Sequence, residues 1–181
     1  CHSYNAELFL ESPLAPAFKE KSLADCVACH GKHLITHVAD EWEGDNAGAT
    51  CRKCHEEGEE GSDLALYFTD TFGAVRQSFG EIEALLKEAE MKGMDVTEGE
   101  DYLQSARQAL LQARTLVHSF SKPVVEEKVL EITQNQTAAL EVGYAALEGL
   151  ERRRRGLAIS TLLLLLLTVG VAIKIRSLPP F

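Results

Sequence analysis

Eighteen consecutive uncharged residues, 156-GLAISTLLLLLLTVGVAI-173, constrain this 181-residue chain more than any other feature. At helical rise they extend roughly 27 Å, close to the thickness of bilayer hydrocarbon. The alternative is a buried core helix, but a chain of this size could hardly surround a helix that is apolar on every face. The run therefore predicts a C-terminal transmembrane helix. Its flanks are basic, with 152-RRRR-155 before it and Lys174 and Arg176 after it.

The net charge of −10 is distributed unevenly. Residues 1–63 carry 5 basic and 13 acidic side chains, residues 64–151 carry 7 and 15, and residues 152–181 carry 6 and none. An acidic body argues against a nucleic-acid surface, which needs clustered Lys and Arg to displace counterions from phosphates. No nucleic-acid partner is expected. The runs 56-EEGEE-60 and 98-EGED-101 read as solvated charge, and no Ser-His-Asp set, phosphate loop or paired-carboxylate motif stands out.

Four of the five cysteines form two C-x-x-C pairs, 26-CVACH-30 and 51-CRKCH-55, separated by 21 residues. That separation overlaps a four-cysteine zinc site, and a disulfide framework is a weaker alternative. The residue after each pair discriminates between them. His30 and His55 follow at once, and with 6 His in 181 residues chance fills both positions in about one chain in a thousand. A zinc site has no need of them. C-x-x-C-H is the attachment signature of haem c: two thiols form thioethers with the vinyl groups, and the adjacent imidazole ligates the iron. Cys26, Cys29, Cys51 and Cys54 are thus the expected haem anchors, with His30 and His55 as proximal iron ligands.

The run 26-CVACHGKHLI-35, followed by the second motif, resembles the multihaem c-type cytochromes of the cytochrome c3-like and NapC-like kind. The resemblance covers roughly residues 1–60. It implies closely packed haems, mostly with two histidine ligands each, that conduct electrons. The chain departs from that pattern in 12-SPLAPAF-18, where Leu14 stands at a position that similar proteins often fill with His, so that ligand is missing or supplied from elsewhere.

Two haems follow from the complete motifs, and a third follows if 1-CH-2 is the end of another C-x-x-C-H, with Cys1 an anchor and His2 a proximal ligand. The alternatives are a lipidated cysteine left by signal cleavage, or simply a chain end with a solvated His2. His33, His37 and His118 are the candidate distal ligands. His33 lies too close to His30 in the chain to reach the opposite face of the same iron, so it would serve a neighbouring haem. The segment 40-DEWEGDNAG-48 reads as a loop.

From about residue 64 the pattern becomes helical. Leu64, Phe68, Phe72, Val75, Phe79, Ile82, Leu86 and Ala89 recur at steps of three and four; Leu103, Ala106, Leu110, Ala113, Val117 and Phe120 repeat the seam; Val125, Val129, Ile132, Ala139, Gly143, Ala146 and Leu150 continue it. Gly93 can cap the first stretch, Thr97 and Glu100 have capping-box spacing, and Pro123 opens the third stretch. The expected fold is mainly α: a small loop-rich multihaem domain (1–62), an antiparallel three-helix bundle (63–152) whose last helix continues into the membrane (153–176), and a tail (177–181). That topology returns His118 to the level of Thr71 and Phe72, and it holds the haems on the order of 40 Å above the membrane.

The arginine cluster, read by the positive-inside rule, would place the body in the cytoplasm. Haem attachment places it outside the bacterial cytoplasmic membrane. The second reading is preferred, because long translocated domains escape charge control, and the arginines then meet anionic headgroups. The expected function is electron transfer within a multi-subunit respiratory or photosynthetic complex, with other haem or redox proteins and membrane lipid as partners. A haem enzyme with an open iron site, of the nitrite-reductase kind, and a membrane haem sensor are the alternatives.

Overall fold

The computed structural model describes residues 2–32 and 50–178, which are mainly helical and contain no strand. Cys1, His33, His37 and Trp42 lie outside the described residues.

Three long helices carry the core: α4 (Glu60–Met91), α5 (Thr97–Leu116) and α6 (Lys122–Arg176). Three short ones precede them: α1 (Ser3–Glu11), α2 (Leu14–Glu20) and α3 (Asp25–His30). The periodic seam is what the long helices bury. Phe68, Phe72, Phe79, Ile82 and Leu86 of α4 pack with Leu103, Ala106 and Ala113 of α5 and with Val125, Ile132 and Ala139 of α6. Small residues let the backbones approach, and at Gly143 an added Cβ would stand 2.7 Å from Leu85. The seam holds one buried polar side chain, Gln136, whose amide donates to the Val75 carbonyl at 3.0 Å.

Contacts set the directions. Tyr67, Val75 and Leu85 of α4 meet Lys122, Gln136 and Gly143 of α6 in that order, so these two helices run parallel. Gly99 lies against Leu86 while Arg107 reaches back to Glu83 and over the Phe79 ring, so α5 runs the other way.

The caps follow local chemistry. Gly93, at φ 77°, closes α4 with the Met94 N–H on the Ala89 carbonyl and its own N–H on that of Glu90, a Schellman arrangement. The capping box expected from Thr97 and Glu100 does not form. Asp95 takes over instead, accepting from both the Thr97 N–H (3.1 Å) and its hydroxyl (2.8 Å). Those bonds, the backbone one first, hold the Asp95 carboxyl below its ordinary range.

α6 is continuous over 55 residues, with Pro in its first turn. Its C-terminal section is long and apolar enough to cross a membrane, and none of it is buried against the rest of the protein. That exposure removes the alternative of a buried core helix. At the near end of this section Arg153 approaches Met94 in the α4–α5 turn, 3.9 Å from its sulfur. The turn thus sits just above the apolar section, while residues 117–122 lie at the opposite end of the bundle.

Candidate functional site

The motif residues gather at that opposite end, on local structure the sequence dictates. In α3, Cys26 and Cys29 are three residues apart and project from one helical face, with His30 closing the helix. Gly31, at φ 75°, then turns the chain away. The second motif is wound more tightly. Cys51 begins a short 3-10 turn, and its carbonyl accepts from the N–H groups of both Cys54 (3.2 Å) and His55 (3.0 Å). Cys26, Cys29 and Cys54 carry free thiols among the described residues. Burial pushes the Cys29 thiol up, the negative charge of Cys54 adds to this, Lys53 opposes it, and Cys26 contributes last. The two motifs are therefore near neighbours. Among the described residues, however, no three His, Cys, Asp or Glu side chains converge as an ion site.

His118 is brought to the first motif by a change of helix type. The last turn of α5 tightens to 3-10 at Val117–Ser119, and Phe120 follows in the left-handed region at φ 49°. The reversed chain carries α1 against it: Phe9 packs edge-on to Phe120 at 6.4 Å and to Phe18 of α2 at 5.3 Å. Ser12 supports the α1–α2 corner, its hydroxyl donating to the Phe9 carbonyl at 2.7 Å. This aromatic cluster fixes the turn that holds His118.

The rings of His30 and His118 stand 6.0 Å apart between centroids, with planes 15° from parallel. The two rings thus lie as a near-parallel pair. A metal bound between two imidazole nitrogens at about 2 Å each would hold the centroids roughly 6 Å apart. His118 Nδ1 donates to the Thr115 carbonyl at 3.0 Å, which leaves Nε2 as the nitrogen with a lone pair. His30 is harder to protonate than a free imidazole, chiefly through burial and then through the charges of His118 and His2. A neutral ring is the ligating form. His2, just before α1, is thus close enough to His30 to be felt electrostatically.

His55 is held differently. Its Nδ1 lies 3.4 Å from the Glu59 carboxylate, which also accepts the Glu56 N–H at 2.9 Å. On its flat side it rests on Gly61, the second residue of α4. A Cβ there would meet the ring carbons Cδ2 and Cε1 at 2.5 Å, and Nε2 at marginally less. Nearly equal distances place that Cβ over the ring face, at its Nε2 end, rather than off its edge. Glycine costs a helix up to about 1 kcal/mol relative to alanine, and here the ring occupies the space gained.

The structure therefore brings together Cys26, Cys29, His30, His118 and His2, with Cys54 beside them and His55 on the neighbouring turn. Both histidine environments fit a haem iron ligand, each with one ring nitrogen engaged and the other available. Sequence reasoning missed Glu59 and Gly61, filing the first under solvated charge. The available signal was a carboxylate four residues beyond the motif histidine. Phe72, to whose level His118 was expected to return, lies in the bundle core with Phe68.

No family model matches the chain, and neither curated proteins nor solved structures give a significant match.

Proposed function

We propose that this protein is a membrane-anchored multihaem c-type cytochrome that transfers electrons on the extracytoplasmic side of a bacterial membrane. The observation that carries the reading is the pairing of His30 with His118. One follows the Cys26–Cys29 motif directly, the other arrives from 88 positions later in the chain, and their separation matches two axial ligands of one metal.

When bound, haem c supplies the one-electron chemistry. Cys26 and Cys29 would anchor the first haem and Cys51 and Cys54 the second, with His30 and His55 as proximal ligands and His118 opposite His30. If His30 and His118 both held the iron, it would have no vacancy for a substrate, which favours a carrier over an enzyme. His33 and His37 stay candidates for the second iron, and Cys1 with His2 for a third haem.

About 30 residues of α6 separate Lys122 from Arg152, or roughly 45 Å of helix. Electron tunnelling falls steeply with distance, so a quinol in the lipid is out of reach and electrons pass sideways to other haem or redox proteins. The acidic exterior suits basic faces on such partners within a larger complex.

Intact mass and pyridine haemochrome on protein from native membranes test the reading. At least two covalent haems per chain are expected; none would return the four cysteines to zinc. The His118→Ala variant then tests the pairing. One haem should bind carbon monoxide when reduced, with haem content unchanged, and failure of every haem to bind it would remove His118 from the ligand set.

A further inference from the structure

We propose that Glu59 is a positioning residue that orients His55 and lowers the reduction potential of the haem attached at Cys51 and Cys54. The inference rests on the haem reading above and adds to it a control element on one haem.

Three observations meet at this histidine. The Glu59 carboxylate faces Nδ1 at 3.4 Å and is itself steadied by the Glu56 N–H at 2.9 Å. Gly61 supplies a flat seat for the ring face. Glu59 is the residue just before α4, a 32-residue helix anchored in the bundle core. A ligating histidine ordinarily donates its other N–H to a carboxylate, carbonyl or water, and the choice sets how strongly it donates to the metal. His55 has the Glu59 carboxylate at ion-pair distance. His118 has a neutral carbonyl, that of Thr115.

The difference in charge gives a direction. A carboxylate on Nδ1–H makes the imidazole a stronger electron donor and favours ferric over ferrous iron. The haem bound by His55 should therefore have a lower potential than it would without Glu59.

Spectropotentiometric titration of the full, haem-loaded chain tests this. Glu59→Gln keeps an acceptor for the Glu56 N–H and removes the charge, so a purely structural role predicts no shift. The expected result is an upward shift of one haem by about tenfold in its reduced-to-oxidised ratio, or about 59 mV for one electron, with the other haem unmoved. Glu59→Asp, which retains the charge one methylene further back, should give a smaller shift in the same direction. Gly61→Ala should displace the ring and cost the same haem its low-spin spectrum. Wild-type protein without covalent haem would defeat the functional reading itself. Fully loaded Glu59→Gln protein with unmoved potentials would defeat this inference alone.

Discussion

The bundle and the cysteine region are held together by different means. In α4, α5 and the first half of α6, a continuous seam from Phe68 to Ala146 is withdrawn from water. Among the described residues before α4, the buried side chains are Phe9, Ser12 and Thr50. The first region makes its own core from side chains. The second has sulfur and imidazole where a core would be, and it leans on the bundle through Phe9 and Phe120. Under the proposed function the haems supply the apolar mass that this sequence leaves out. The lesson is that the bundle makes its own core, whereas the cysteine region leans on it.

The largest test of that division is Phe72→Ala. Phe72 is fully buried, and truncating such a ring costs about 3–5 kcal/mol. Denaturant unfolding followed by far-ultraviolet circular dichroism should show this loss, and an effect below 1 kcal/mol would mean the bundle is not the load-carrying part. The converse experiment replaces Cys26 and Cys29 with serine. One haem should be lost and residues before α4 should become open to protease, while the bundle's own unfolding moves by less than about 0.5 kcal/mol. A large shift would make the two regions one cooperative unit. The smallest effect is at the far turn. The Asp95 carboxyl titrates lower in the folded chain than unfolded, so its contribution is present above the unfolded value and fades as pH falls through the folded one. Asp95→Asn should flatten that acid limb and leave neutral-pH stability nearly unchanged.

The same contrast explains what could be read from sequence. Burial of Phe72, Ile82 and Ile132 follows from period, because helical spacing is local and one face must leave water. The end of α4 at Gly93 was legible for the same reason. The start of α5 was not, because Asp95 competes with Glu100 for the Thr97 N–H and a spacing rule does not rank them. At the site, the cysteines and their following histidines were legible as a motif. The topology that returns His118 was foreseeable from three antiparallel segments. Its meeting with His30 was not, since that depends on the tightened turn at Val117–Ser119 and on α1 packing against it. Glu59 was read as surface charge because acidity alone does not reveal what a carboxylate faces.

The unbroken course of α6 gives the molecule the mechanics of a lever. Membrane helices tilt by about 20° on average, and over roughly 45 Å such a tilt carries the far end about 15 Å sideways. The histidines that close the bundle ride at that end, beside α6's first residues. Under the proposed function, a full turn of the tilted helix about the membrane normal would carry them around a circle some 30 Å across, at nearly constant height. Anchoring at one point and reach across many points are the same property of one helix.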